Sequence, residues 1–206
     1  METREKWLRW AIELQQLAQA GLYYGHDDFD KERYGKIRQI AAEIMAYKTQ
    51  EPVAKIRDLF CNEMGYQTPK LATRAAIFDG DKILLVRERD GLWAMPGGWV
   101  DVTESALENV IKESKEEAGL NVSADFVVAV LDRDKHNQPR YAYKVCIVFV
   151  HCTAQGGAFI PNLETSESGY FALDALPPLA EAKNTKEEIA MCFEAHHSTQ
   201  WKTLLD

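Results

Sequence analysis

No stretch of this chain approaches the roughly 20 consecutive apolar residues that a membrane span requires. The opening METREKWLRW lacks the apolar run of a signal peptide. Positive charge is scarce: 24 Lys and Arg stand against 32 Asp and Glu, a net charge of −8. That balance argues against a protein that grips nucleic acid by bulk electrostatics, while leaving room for a local basic pocket that takes a phosphate. Cysteine is also sparse, and Cys61, Cys146, Cys152 and Cys192 show no C-x-x-C spacing. A disulfide frame or a zinc site of that kind is therefore not expected; reduced thiols and a cytoplasmic location are. There is no internal repeat, no low-complexity tract and no DNA-reading segment.

What is present suits a folded protein of one large domain, or of a small domain followed by a standard one. Apolar residues make up 46% of the 206, ample for a core. Residues 1–66 are helical in pattern. Trp7, Trp10, Leu14 and Leu17 recur on one stripe, and Gly21 is placed to end that helix. Two Trp on one short helix point to core or interface packing before any cofactor. LYYGHDDFD reads as a connector. A second helix carries Ile37, Ile40, Ala41, Ile44 and Tyr47 on one face. Pro52 suits the first turn of a third, with Val53, Ile56 and Phe60 inward. Three helices of this size bury little by themselves, so they are expected to pack on the rest of the chain or on a second subunit.

From residue 67 the pattern changes, and 67–206 reads as a second domain. Two strands meet at Asp79-Gly80-Asp81, a good hairpin signal. A helical stretch follows, then two longer strands around His136-Asn137-Gln138-Pro139. A loop over 155–168 leads to the short strand GYFAL. Leu176-Pro177-Pro178 breaks the chain before a last helix, TKEEIAMCFEAHH. Strand, strand, helix, strands, helix is an α+β pattern.

The chain is organised around GGWVDVTESALENVIKESKEEAGL, residues 97–120. Gly97-Gly98 lets backbone approach a ligand without Cβ obstruction. Ser105 and Glu108 form an S-x-x-E capping box, and Gly119 stands where a C-terminal cap belongs. Winding the helix places Leu107, Val110, Ile111, Ser114 and Ala118 on one arc, which is expected to be buried. Glu113, Glu116 and Glu117 fall on the neighbouring arc. An isolated KESKEE is more often a solvated face than a site. Three repelling carboxylates on one wall nevertheless suit a hard cation such as Mg²⁺, which takes oxygen ligands and is usually held by one or two carboxylates plus substrate phosphates.

These residues resemble the Nudix box, G-x5-E-x7-R-E-U-x-E-E-x-G-U, where U is a bulky aliphatic. Gly98, Glu104, Glu113, Glu116, Glu117, Gly119 and Leu120 match in register. Chance agreement of this kind is on the order of one in a million per window at average residue usage. Lys112 stands where the family has Arg, and Ser114 stands at the first aliphatic position. The resemblance covers about residues 67–198. It implies an α/β/α sandwich with a mixed central sheet, preceded here by a small N-terminal helical domain. The N-terminal helices, WAMPGGWVDVTES, LDRDKHNQPRYAYK, ETSESGYFALDALPPL and the tail KNTKEEIAMCFEAHH are similar to a bacterial Nudix subgroup of ADP-ribose and CDP-choline pyrophosphatases. That similarity implies a cytoplasmic enzyme and a homodimer with contact through the N-terminal helices.

The implied reaction is Mg²⁺-dependent hydrolysis, with Mn²⁺ as a substitute, of the pyrophosphate in a nucleoside diphosphate linked to X. The products are a nucleoside monophosphate and X-phosphate. CDP-choline is the leading expectation for the substrate and ADP-ribose the alternative; RNA-end processing and a non-catalytic nucleotide-sugar sensor are rival classes. By the same resemblance Glu113, Glu116 and Glu117 are the expected metal ligands, with the Gly97 or Gly98 carbonyl as a further oxygen. The general base is left open among Glu113, Glu117, Glu164 and Glu167. Lys112 is expected to reach Glu116 or Glu108 and to hold the glutamates more loosely than Arg's flat fork would. Ser114 is expected to underpack or to bond back to the Val110 or Ile111 carbonyl. Arg74, Arg87, Arg89, Arg133 and Lys144 are candidates for phosphate, and Trp93, Tyr141, Tyr143 and Phe171 for stacking on a base, against a default of salt bridges and packing. His136 is either a loop residue or a phosphate contact.

Overall fold

The computed structural model describes residues 6–206, and the chain divides into two compact units at Pro69 and Lys70. The first holds α1 (Lys6–Tyr24), α2 (Asp28–Thr49) and α3 (Val53–Phe60). Asp27 caps α2 by accepting from the Asp30 N–H at 3.0 Å. The core is built largely from small residues, Ala11, Ala18, Ala41, Ala42 and Ala46, with Met45, Ile56 and Phe60. Gly21 does not end α1, which runs on to Tyr24. A Cβ there would lie 2.5 Å from the Tyr34 ring, so this glycine serves the close approach of α2.

The apolar stripe read from α1 is only partly inward. Trp10 is 55% exposed and Leu17 59%, while Ala11, Gln15, Ala18 and Gln19 are the buried positions. On α2 the same shift leaves Tyr47 82% exposed. Burial of glutamines is tolerated because their amides are satisfied. Gln15 Nε2 donates to Gln19 Oε1 at 3.1 Å, Gln19 Nε2 to the Gly65 carbonyl at 2.9 Å, and the Cys61 thiol to Gln15 Oε1 at 3.3 Å.

The second unit is a mixed sheet between two helices. Its elements are β1 (Lys70–Asp79), β2 (Lys82–Glu88), β3 (Trp93–Ala94), α4 (Ala106–Ala118), β4 (Leu120–Asp132), the one-turn α5 (Arg133–His136), β5 (Val145–Gly157), β6 (Thr165–Phe171), α6 (Lys186–His197) and β7 (Leu204–Leu205). The order is β3-β2-β1-β5-β4-β7, with β6 also on β2. β1 runs parallel to β5, and β4 to β7; the other pairings are antiparallel. The hairpin turns at Gly80-Asp81, with Asp79 opposite Lys82.

Side chains alternate across each strand and so build two layers. Ala75, Ile77, Leu84 and Val86 pack with Val110 and Ala118 of α4 on one face. Ala76, Ile83 and Leu85 pack with Ile189, Cys192 and Phe193 of α6 on the other. The expected helix–sheet–helix sandwich is therefore present. Two details differ. The strand expected at GYFAL begins already at Thr165, which puts Glu167 in β6 rather than in a loop. β3 and β7 are two residues each, too short to leave a periodic trace in the sequence.

Candidate active site

The segment from Pro96 to Val100 lies along β1 and is bonded to it. The Ala75 N–H donates to the Pro96 carbonyl at 2.8 Å, the Thr73 N–H to Gly98 at 3.0 Å, and the Val100 N–H to Leu71 at 3.0 Å. Gly97 has φ +147° and sits so close to β1 that a Cβ would lie 2.1 Å from the Thr73 carbonyl oxygen. Only glycine fits there. Its N–H donates to Glu117 Oε2 at 2.8 Å, and its carbonyl accepts from Arg74 Nη1. At Gly98 a Cβ would lie 2.9 Å from Glu113 Oε1, so this glycine leaves room for that carboxylate.

α4 is fixed at both ends. Ser105 and Glu108 form the expected capping box, and Gly119 closes the helix in the left-handed region at φ 71°. Asn109, fully buried, accepts from the Thr73 hydroxyl at 2.5 Å and donates to the Trp99 carbonyl at 2.9 Å and Glu113 Oε1 at 3.4 Å. It ties helix, strand and loop together. At the far end Asn162 Nδ2 donates to the Glu116 carbonyl at 2.8 Å, and the Thr165 hydroxyl to the Glu117 carbonyl at 2.7 Å. These two satisfy last-turn carbonyls that the helix leaves unpaired. Asn162 Oδ1 also accepts the Glu164 N–H at 2.8 Å, which brings the Glu164 loop against the helix end.

Glu113, Glu117 and Glu164 line one cavity of about 920 Å³ with Arg74, Gly97, Gly98, Arg89, Lys183, Arg133 and Tyr141. Glu117 is only 7% exposed. Burial pushes its carboxyl up to about 7, against the Gly97 N–H and the Arg74 charge, while Glu113 adds to the rise. Glu113 is raised by burial and then by the charges of Glu116 and Glu164, with Lys112 and Asn109 opposing. Arg74 is lowered by burial, with Glu117 the first of the carboxylates that oppose it. Acidic groups buried side by side and resisting ionisation are relieved by a cation. Among the described residues no three His, Cys, Asp or Glu side chains are gathered closely enough to hold a metal ion by themselves. Two hard carboxylates beside an open cavity fit Mg²⁺, which keeps several waters and takes its remaining ligands from substrate phosphates.

Other expected residues fall outside. Glu116 is exposed and does not line the cavity. The Gly97 and Gly98 carbonyls each already accept one bond, from Arg74 and from the Thr73 N–H, and keep a second lone pair. Lys112 reaches neither Glu116 nor Glu108; its ammonium donates to Asp101 at 3.0 Å and to Glu104 at 3.1 Å and 3.2 Å. It fastens the loop before α4, including the box residue Glu104, instead of the cavity glutamates, because its long stem runs back toward the helix start. On α4, Val110, Ser114 and Ala118 are inward as expected, but Leu107 and Ile111 are exposed and Asn109 and Glu117 take the buried places. The Ser114 hydroxyl bonds back to the Val110 carbonyl at 2.7 Å.

Glu167 pairs with Arg87 across β6 and β2 at 2.7 Å, which removes both from the cavity. Trp93 packs edge-on against Phe171 beneath the α6 layer. His136 lies 2.5 Å from Asp206, and Lys144 pairs with Asp132 and Asp134. Tyr143 stands beside Tyr141 and Trp99 without lining the cavity. The residues that sequence reading missed are Asn109, Asn162, Thr165 and Lys183. All are ordinary polar residues whose roles come from contacts between distant segments.

Comparison with known proteins agrees with this architecture. Residues 68–191 match the NUDIX domain, and residues 5–60 match a family described as "UDP-X-like, N-terminal oligomerisation domain". A Bacillus subtilis (strain 168) protein with the provisional name ADP-ribose pyrophosphatase YjhB is 38% identical over 207 residues, covering the whole of both chains. The crystal structure of an ADP-ribose pyrophosphatase from Streptococcus suis 89-1591 is 58% identical with TM-score 0.64, covering 68% of this chain and all of that one. The crystal structure of a UDP-X diphosphatase is 28% identical with TM-score 0.64, covering 99% of this chain and all of its own. With its box, its sandwich and its N-terminal oligomerisation domain, the chain belongs to the Nudix hydrolases and is a Nudix pyrophosphohydrolase.

Proposed function

We propose that the protein hydrolyses the pyrophosphate of a nucleoside diphosphate linked to X, with Mg²⁺, and that ADP-ribose is its leading substrate. The observation that carries the reaction is the pairing of Glu113 and Glu117 in one cavity with Arg74, Arg89 and Lys183. The substrate is supported by the names of the Bacillus and Streptococcus relatives. CDP-choline, the leading expectation from sequence, has no such support.

The residues divide the work. Glu113 and Glu117 would hold the cation, and Glu116, outside the cavity, would add its charge to the attraction. When bound, the cation neutralises phosphate charge and acidifies a water. Arg74 and the Gly97 N–H hold the loop and Glu117 in register. Arg89 and Lys183 supply positive charge for the phosphates, and Lys183 is itself held by Glu88 at 2.5 Å. Of the two loop candidates for the base, Glu164 lines the cavity and would accept the proton of the attacking water, whereas Glu167 is committed to Arg87.

The test is a product assay with Mg²⁺ over ADP-ribose, CDP-choline, NADH, nucleoside triphosphates and a short RNA. Glu113→Gln and Glu117→Gln are expected to lose ADP-ribose turnover by ~100-fold or more, Glu164→Gln by a comparable factor, and Glu167→Gln by less than a few fold. Turnover of RNA alone, or binding of nucleotide without turnover, would sink the proposal.

The exposed apolar residues of α1 support a homodimer formed through the first unit. A stripe that reads as buried, yet leaves Trp10 and Leu17 open in the single chain, suits a self-complementary face.

A further inference from the structure

Arg133 is 2% exposed, yet it lines the same cavity as the glutamates. Its Nε donates to the Ala182 carbonyl at 3.1 Å and its Nη1 to the Pro139 carbonyl at 2.8 Å; Asp134 stands farther off at 3.8 Å. The third nitrogen, Nη2, is shut from solvent and has no partner. A buried guanidinium N–H without an acceptor is costly, so one that persists in a cavity wall points to an acceptor brought by a ligand.

The aromatic neighbours narrow the ligand. Tyr141 lines the cavity with Trp99, and Tyr143 stands 5.4 Å from Tyr141 and 6.3 Å from Trp99. Three rings so grouped could form a cage for a quaternary ammonium. Here two of them, Tyr141 and Tyr143, already carry a cation on one face. The Arg133 guanidinium lies 3.6 Å from the Tyr141 centroid, and the Lys70 ammonium 4.9 Å from the Tyr143 centroid. A cationic ligand group would meet like charge at these two rings. An oxygen-rich group, neutral or anionic, would meet a charged donor held in fixed orientation by two carbonyls and a ring.

We propose that Arg133, stacked on Tyr141, is a specificity-determining residue that selects nucleoside diphosphates whose X is an oxygen-rich neutral or anionic group and turns away those whose X is a quaternary ammonium. This rests on the reading of the cavity as a pyrophosphohydrolase site. It separates ribosyl from cholinyl substrates by charge and donor geometry, without reference to the base.

The experiment uses a matched pair, ADP-ribose and ADP-choline, which share the nucleotide half and differ only in X. The full-length protein is expected to favour ADP-ribose in kcat/KM by roughly 30-fold or more. Arg133→Met is expected to lower ADP-ribose by roughly tenfold to a hundredfold, mostly through KM, and to leave ADP-choline unchanged or improved. An equal fall for both would overturn the inference, because Arg133 would then serve the shared half or only the fold. Preference for ADP-choline by the unmodified protein would overturn it too. Calorimetry of the unmodified protein with ribose 5-phosphate and with phosphocholine needs neither a variant nor turnover. Tighter binding of ribose 5-phosphate supports the inference; equal or reversed affinities defeat it, even if the variant does not fold. Failure to hydrolyse either diphosphate would count against the catalytic reading, and the calorimetry would still decide the role of Arg133.

Discussion

Glu117 is the residue on which burial and chemistry pull hardest against each other. Its carboxyl stands at about 7 in the fold against an ordinary 4.5, chiefly through burial. A carboxyl raised on folding contributes stability that is fully present below the unfolded value and is lost as pH rises through the folded one. The metal-free protein is therefore expected to be less stable at pH 8.5 than at pH 5.5, with this residue accounting for at most about 2 kcal/mol over that window. Glu117→Gln removes that part of the slope. A cation competes with the proton for the same oxygens, so Mg²⁺ should raise the melting temperature more at pH 8.5 than at pH 5.5. Thermal melts of both proteins in chelator and in Mg²⁺ check this. A mutant with the same pH slope as the parent would show that Glu117 is not the raised group.

At the scale of the element, α4 works because strangers to it hold its ends. The box glutamates are readable in the sequence, since their spacing is the helical one and glycines bracket them. What aims them is less readable. Asn109 is one unremarkable letter in SALENVIK, yet it bonds β1, the Trp99 loop and Glu113 at once. Periodicity places residues on a helix face; it does not report which distant strand or loop supplies the partner, so Leu107 and Ile111 read as inward although both are exposed. Asn109→Ala leaves the Thr73 hydroxyl and the Trp99 carbonyl without their partner. The expected cost is about 2–3 kcal/mol in denaturant unfolding, with a fall in kcat as Glu113 loses its support. Full activity and unchanged stability would show that the clamp is dispensable.

α6 has a comparable dependence, this time on pH. His196 Nδ1 lies 3.0 Å from His151 Nε2, and His151 Nδ1 lies 2.9 Å from Asp125. The ring of His196 stacks on Phe78 at 4.0 Å. Burial lowers His196 below its ordinary 6.5, His151 and His197 add to this, and the Gly80 carbonyl and Asp81 oppose it. For a histidine lowered in this way the unfolded chain binds the proton more readily, so stability is held above 6.5 and lost as pH falls below that value. His196→Gln is expected to flatten the melting temperature between pH 7 and pH 5. An unchanged slope would place the acid sensitivity elsewhere.

At the scale of the whole molecule, the two units differ in how much of themselves the sequence discloses. The sandwich is legible because the hairpin signal between β1 and β2 and a signature helix each point to it. The first unit is legible as helices but not as a surface. Trp7, Trp10, Leu14 and Leu17 read as one buried stripe, and the single chain buries Ala11, Gln15, Ala18 and Gln19 instead. Hydrophobic spacing records that a face is covered without recording by what. The proposed homodimer would resolve the mismatch, since a two-fold axis would let the same stripe cover itself, and the matched N-terminal family is one of oligomerisation. Trp10→Glu with Leu17→Glu puts like charges across such an axis and costs little in the isolated chain, where both positions are open. Sedimentation equilibrium is expected to show a dimer for the parent and a monomer for the double variant, with helical content retained in circular dichroism. A variant that stays dimeric would move the interface off this stripe, and a parent that is monomeric at micromolar concentration would remove the dimer altogether.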